Sequence, residues 1–89
     1  MDVDDLKQEL RNVYDDVRQQ RDELRVRLHL ASAEAKEVWE ELEQKWDNFE
    51  ARSEQMFDEA KDAGGDIAEA AQLLGSEIKQ GYKRLRRLL

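Results

Sequence analysis

Carboxylates in the middle of the chain are the side chains whose type and spacing come closest to supporting chemistry. Paired carboxylates can act as general acid and base, or hold Ca²⁺ or Mg²⁺, when they converge in a shaped and partly dry cavity. These acids instead recur along a segment without the glycine bends that a calcium loop needs. We therefore predict a solvated helix face, with an acidic metal-binding protein as the minor alternative. The acids are Glu34, Glu37, Glu40, Glu41, Glu43, Asp47, Glu50 and Glu54.

Histidine and cysteine sites are not supported by the sequence. His29 is the only histidine, and a di-iron helical bundle would require a glutamate three residues earlier, where Val26 stands. The chain has no cysteine, which excludes thiolate metal sites, thiol nucleophiles and disulfides. A Gly-rich phosphate loop and a nucleophile elbow are also missing from the sequence. We predict a protein that is not an enzyme and that has no catalytic residue, metal site or cofactor.

One basic cluster near the end of the chain has the residue types to contact an anionic surface. Its five bases are interleaved with apolar residues, a pattern that suits anionic lipid or nucleic-acid phosphate. Bases also suit the carboxyl end of a helix, and in a hairpin they would lie beside the acids of residues 41–50, which favours ion pairs. The net charge of −7 opposes a nucleic-acid partner. The cluster consists of Lys79, Lys83, Arg84, Arg86 and Arg87.

The elements that carry these residues follow from the spacing of the apolar side chains. Charged residues make up 42% of the 89 residues and aromatic ones 7%, a composition that approaches that of disordered chains. Stepping by three or four from Leu6 to residue 63, however, meets an apolar residue at fifteen of seventeen positions, which is a helical stripe. Neither Gly nor Pro occurs between residues 3 and 63. We predict one long helix over residues 3–63.

A turn and a second, shorter helix complete the predicted domain. Gly64-Gly65 offers the left-handed conformation that ends helices, and a second apolar stripe predicts a helix over residues 67–88 that runs back antiparallel. Residues 25–30 alternate basic and apolar side chains as a half-buried strand would; their helical flanks favour a helix, and continuity through residues 25–35 is left open. The predicted fold is all-α, a single helical domain over residues 1–89 that forms a coiled-coil-like hairpin.

The hairpin core is predicted where the second helix docks onto the aromatic-rich part of the long helix. Both tryptophans are assigned to core packing rather than to ligand stacking. With a turn at Gly64-Gly65, Tyr82 would lie level with Asp47. The predicted hairpin core consists of Trp39, Leu42, Trp46, Phe49, Met56, Leu74, Ile78, Tyr82 and Leu85.

The first half of the long helix has no partner within this predicted hairpin. Leaving six or seven Leu and Val side chains in water would forfeit on the order of 10 kcal/mol. We therefore expect a second copy of the chain to cover them, in an antiparallel homodimer with a partly four-helix section. A parallel coiled coil is the competing arrangement. The predicted dimer interface is Leu6, Leu10, Val13, Val17, Gln20, Leu24, Leu28 and Ala31.

Three segments carry a resemblance to known proteins. Residues 21–31, 34–43 and 74–82 resemble small uncharacterised bacterial coiled-coil proteins, some of which are regarded as stress-associated. The similarity covers roughly half of the chain and brings no catalytic residues with it. It implies a bacterial origin and a role of unknown kind, stress-related in some members.

The leading functional prediction is a non-enzymatic helical module for oligomerisation or protein interaction. Its main rival is a peripheral membrane protein that uses residues 78–89 as a cationic amphipathic helix. The chain starts with acidic residues and has no apolar run of roughly 20 residues, so we predict neither a secretion signal nor a membrane span. A cytoplasmic location is expected.

Overall fold

The chain folds into three α-helices over the residues that the structure describes, 3–58 and 65–89. In this computed structural model α1 spans Val3–Arg27, α2 spans Ala33–Phe57 and α3 spans Gly65–Leu88, and a short 3₁₀ turn, Leu28–Leu30, follows α1. The described residues contain no strand. The predicted all-α class is therefore confirmed, and so is the hairpin-like packing of the last helix against the aromatic-rich segment, which is α2.

The predicted long helix over residues 3–63 is wrong, because the chain breaks it after residue 27. Ala31 and Ser32 adopt extended backbone angles between the 3₁₀ turn and α2. The Ser32 hydroxyl accepts a hydrogen bond from the Ala35 amide at 3.2 Å and so caps α2. The long axis of the molecule is 43 Å, which fits helices of about 25 residues lying side by side. A helix of about 60 residues would be about 90 Å long.

Burial of the apolar stripe on α1 is the physical reason for the break. Folding α1 back removes Leu10, Val17 and Leu24 from water, each with at most 1% of its surface exposed. Burying one such side chain contributes roughly 1.5–3 kcal/mol. The break forfeits a few backbone hydrogen bonds of about 1 kcal/mol net each, and the Ser32 cap restores one of them. The free energy gained by burying these side chains is therefore larger than the free energy lost by interrupting the helix.

The three helices lie side by side, with α1 and α3 parallel and α2 antiparallel to both. Contacts between α1 and α3 advance along both helices together, whereas contacts between α1 and α2 advance in opposite directions. As a result, α1 and α3 finish at the same end of the bundle, where α2 begins. The α1–α3 pairs are Glu9 with Gln72 and Asp16 with Lys79; the α1–α2 pairs are Arg11 with Phe57 and Arg21 with Glu43.

The register between α2 and α3 differs from the predicted one because α2 already ends at Phe57. The Tyr82 ring stacks on Trp39, with ring centroids 6.2 Å apart, instead of lying level with Asp47. Gly64 of the predicted turn lies outside the described residues, and Gly65 is the first residue of α3. Each residue of α3 is therefore level with an earlier part of α2 than the sequence suggested.

Two glycines inside α3 let this helix lie close against both neighbours. A Cβ atom on Gly75 would lie 2.6 Å from Val13 Cγ1 on α1 and 3.1 Å from the Phe49 ring on α2. A Cβ atom on Gly81 would overlap with the Leu42 side chain. Glycine inside a helix costs roughly 0.5–1 kcal/mol relative to alanine. The close approach of three helices at these positions offsets that cost.

A single core runs along all three helices. Seven residues of the predicted hairpin core are buried in it, while Trp39 and Leu74 lie half-buried at its edge. The predicted hairpin core did not include the buried residues of α1 or the buried alanines Ala35, Ala68 and Ala71. The buried apolar residues are Leu10, Val17, Leu24, Leu28, Ala35, Leu42, Trp46, Phe49, Met56, Ala68, Ala71, Ile78, Tyr82 and Leu85.

The stripe that was predicted to form a dimer interface is covered by the chain's own helices. Leu10, Val17, Leu24 and Leu28 are buried in the core, and Leu6, Val13 and Ala31 pack against it. Gln20 is half-buried and donates a hydrogen bond from Nε2 to Asp16 Oδ1 at 3.1 Å. The bare apolar surface that called for a second copy is therefore not bare, and the reason given for a homodimer through these residues no longer holds.

Candidate functional site

The acidic residues of α2 form a solvated face rather than a site. No group of three or more potential metal ligands converges within residues 3–58 and 65–89. Glu43 and Glu50 are half-buried and the other six predicted acids are exposed. His29 is exposed in the 3₁₀ turn after α1. The acids thus follow the outer side of a helix whose inner side is apolar.

The half-buried acid Glu43 anchors α1 to α2. Arg21 donates from Nε to Glu43 Oε1 at 2.8 Å and from Nη2 to Oε2 at 2.7 Å, a bidentate charge-assisted pair. These hydrogen bonds raise the pKa of the Arg21 guanidinium further above its ordinary value. The guanidinium also lies 5.1 Å from the centre of the Trp46 ring, which adds a cation–π contact. Glu43 therefore has a structural role, because both of its carboxylate oxygens accept hydrogen bonds from Arg21.

All six aromatic side chains of the chain take part in ring contacts, and four of these five contacts join different helices, while the contact between Trp46 and Phe49 lies within α2. Tyr14 of α1 is the centre of one group, with its ring centroid 5.4 Å from that of Trp46 and 5.8 Å from those of Phe49 and Phe57. Tyr14 is not among the predicted core residues, because the predicted hairpin gave the first half of the long helix no partner within the chain. Its position next to Val13 on the stripe is the signal that could have identified it.

Two buried hydroxyl groups have no hydrogen-bond partner among the described residues. They are Ser53 Oγ and Tyr82 OH, both on residues that are fully buried. Burial raises the pKa of the Tyr82 hydroxyl well above its ordinary value, because the charged form would be desolvated. A buried polar group without a partner is destabilising by about 1–3 kcal/mol. Neither Ser53 nor Tyr82 lines the surface groove beside Leu73 or the one beside His29.

Ser53→Ala is expected to raise the free energy of unfolding by about 1–2 kcal/mol, since it removes an unpaired buried hydroxyl and improves helix propensity. Urea unfolding followed by circular dichroism measures the change. Ser76→Ala is the matched control, because Ser76 is exposed on α3 and only the propensity gain of about 0.5 kcal/mol applies there. A loss of stability in Ser53→Ala would mean that its hydroxyl has a partner.

The basic cluster does not form the predicted ion pairs with the acids of residues 41–50. Within the described chain, Lys79 pairs with Asp16 of α1 at 2.6 Å, and none of the five bases pairs with an acid of residues 41–50. The hydrogen bond from Lys79 lowers the pKa of the Asp16 carboxyl. Lys83 and the three arginines that follow it in the cluster are exposed. They take part in none of the ion pairs formed by the described residues.

The parallel arrangement of α1 and α3 adds further bases to this surface. Residues 25–33 and 78–89 together contain seven of the 15 Lys and Arg residues and none of the 22 acids. Because Asp16 lies level with Lys79, Arg25 lies about level with Leu88. We call the six exposed bases of these two segments the α1–α3 basic surface: Arg25, Arg27, Lys83, Arg84, Arg86 and Arg87.

The apolar side of the C-terminal helix is not available to a membrane in this fold. Ile78, Tyr82 and Leu85 are fully buried between the helices. A cationic amphipathic helix binds a bilayer by burying that side among the lipid chains. The predicted mode of membrane contact through residues 78–89 would therefore require α3 to leave the bundle.

Four large aliphatic side chains are exposed among the described residues, and three of them lie at the end of the bundle that carries the basic surface. Leu30 is 98% exposed and Val26 72%, while Leu88 is 37% exposed. Leu73, 67% exposed, lies in the middle of α3.

The surface of the described chain also has two shallow grooves, one of which is lined in part by Leu73. One of about 350 Å³ is lined by Arg25, Leu28, His29, Lys36, Trp39 and Glu40. The other, of about 330 Å³, is lined by Glu69, Gln72, Leu73 and Ser76.

Comparison with known proteins identifies no relative of this chain, so its function is inferred from the geometry described above. No protein-family model matches the chain, and neither the curated proteins nor the solved structures contain a match. None of the helices in the described ranges combines the length and apolar composition that crossing a membrane requires.

Proposed function

We propose that this protein is a non-enzymatic helical interaction module that binds an anionic partner through the α1–α3 basic surface. The observation that carries the proposal is the exposure of six Lys and Arg residues that form no ion pair within the described chain. The chain as a whole has a net charge of −7, so acids are plentiful, yet none of the described acids forms an ion pair with these six bases.

The distribution of charge supports a directed contact. Outside residues 25–33 and 78–89 the chain holds all 22 acids and only eight of the 15 Lys and Arg residues. A molecule with separated charge is oriented by the field of a charged partner before contact, which raises the rate of productive encounter. The basic surface would face the anionic partner and the acidic remainder would face away from it.

Retention on immobilised heparin, a polyanion without an apolar surface, tests the proposal. We expect the protein to be retained at pH 7 and low salt in spite of its negative net charge, and to elute as salt is raised. The test variant removes three bases of the surface: Lys83→Gln, Arg84→Gln and Arg87→Gln. The matched control removes three exposed or half-buried bases elsewhere: Lys7→Gln, Arg18→Gln and Arg52→Gln.

The wild-type chain has a net charge of −7 and each triple variant loses three positive charges, so both variants have a net charge of −10. We expect the test variant in the flow-through and the control close to the wild-type elution position. If the wild-type protein is not retained, or if both variants elute together, the α1–α3 basic surface is not a binding surface and the proposal fails.

A further inference from the structure

We propose, building on the function inferred above, that the anionic partner is a lipid bilayer and that the turn after α1 inserts Leu30 and Val26 into it. The bases of the α1–α3 basic surface would then contact the lipid headgroups. The bundle stays intact in this arrangement, in contrast to a contact made by the apolar side of α3.

The exposure of Leu30 is imposed by the geometry of the turn. Leu28, two residues earlier, is packed into the core with 9% of its surface exposed, so the 3₁₀ turn directs Leu30 away from the bundle. The turn is fixed on both sides: the Ala31 amide donates to the Leu28 carbonyl at 3.1 Å, and Ser32 caps α2. Leu30 is thus a fully exposed leucine on an ordered turn rather than on a loose loop.

The sequence around the turn combines apolar and basic side chains in the manner that interfacial contacts require. Arg25, Arg27 and His29 alternate with Val26 and with the leucines on either side of His29. Long basic side chains at an interface keep their charge at the headgroups while neighbouring aliphatic groups enter the acyl region. The alternation that resembled a strand in the sequence therefore acquires a physical role in the folded protein.

Topology brings a second set of bases to the same place. Because α1 and α3 are parallel, the turn after α1 lies at the same end of the bundle as the last turn of α3, where Arg86 and Arg87 are exposed. Attraction between basic side chains and anionic lipids acts over about a Debye length, roughly 8–10 Å at physiological salt. Headgroup attraction and insertion of aliphatic side chains then act together, as stable interfacial binding generally requires two such signals.

A bilayer fits these features better than a protein partner does. Leu30 is 98% exposed on the turn at the end of the bundle, and the six bases are spread over the ends of two helices. A protein would need a matching pocket surrounded by acids at each of these positions, whereas a fluid anionic bilayer adapts to both. Contact requires an anionic rather than a zwitterionic membrane because the six exposed bases need opposite charge in the headgroups. The exposed acids that border the segment in sequence, Glu23 and Glu34, oppose this attraction.

Co-sedimentation with vesicles tests the inference. We expect the full chain to bind vesicles that contain phosphatidylglycerol and phosphatidylcholine and not vesicles of phosphatidylcholine alone, with binding that weakens as salt rises. The double variant Val26→Ser, Leu30→Ser should reduce the partition coefficient by about tenfold or more. Leu73→Ser, which alters an exposed leucine away from the turn, is the matched control and should bind as the wild type does.

The outcomes separate this inference from the function on which it rests. Retention on heparin without binding to anionic vesicles overturns the lipid inference and leaves an acidic protein as the partner. Equal vesicle binding by the wild type and the Val26→Ser, Leu30→Ser variant overturns the insertion of the turn. Heparin retention by this double variant should be unchanged, because it keeps every base; a loss there would also count against the inference, since the substitutions would then have disturbed the basic surface. Far-UV circular dichroism of each variant checks that the helix content is unchanged, and a cooperative thermal unfolding transition checks that the helices remain packed.

Discussion

Phe49→Ala is expected to lower the free energy of unfolding by about 3–5 kcal/mol, one of the two largest effects expected for a single substitution in this bundle. Phe49 is fully buried on α2, and its ring centroid lies 5.8 Å from those of Tyr14 and Trp46. It also lies against the backbone of Gly75 on α3. Removing this ring would leave a cavity that faces all three helices, and the close approach at Gly75 restricts the collapse that could fill it.

The measurement is chemical or thermal unfolding followed by circular dichroism. Domains of this size lose roughly 4–8 °C in midpoint temperature for each kcal/mol, so a fall on the order of 20 °C is expected. Leu73→Ala is the control, because Leu73 is 67% exposed and its truncation should change stability by no more than about 0.5 kcal/mol. Similar losses in the two variants would contradict a core centred on Phe49.

Leu24→Ala is expected to lower the free energy of unfolding by about 2–5 kcal/mol, and this loss should not depend on protein concentration. Leu24 is 1% exposed and is covered by helices of its own chain. In the sequence-based prediction the same side chain belonged to a dimer interface. Burial within one chain contributes to stability at any concentration, whereas burial between two chains makes the unfolding midpoint rise with concentration.

Unfolding should therefore be measured over about a hundredfold range of protein concentration for the wild type and for Leu24→Ala. We expect constant midpoints for both, and a sedimentation mass close to the chain mass of 10.5 kDa. Leu30→Ala serves as the control at a fully exposed leucine of the same stretch of chain and should leave stability nearly unchanged. A midpoint that rises with concentration in the wild type would restore the homodimer as the unit that covers the stripe.

The candidate site divides into a part that could be read from the sequence and a part that could not. The basic cluster was visible because five bases fall within residues 79–87. Its state of pairing was not visible, since pairing depends on which helix lies beside it: Lys79 meets Asp16 of α1 rather than an acid of α2. The role of residues 25–30 was also hidden, because their alternation is ambiguous until the positions of Leu28 and Leu30 relative to the core are known.

The sequence by itself determined that this protein is helical and which side chains seek a core. Both properties follow from local spacing, because apolar residues three and four apart line one side of a helix whatever else the chain does. Tertiary structure decided the rest: the break between Arg27 and Ala33, the parallel placement of α1 and α3, and the presence of exposed bases from both helices at one end of the bundle. A break without Gly or Pro depends on a comparison between a few backbone hydrogen bonds and the burial of side chains distant in sequence. That comparison can be made only when the partner helices are in place, because the free energy resides in contacts between segments that local patterns do not relate.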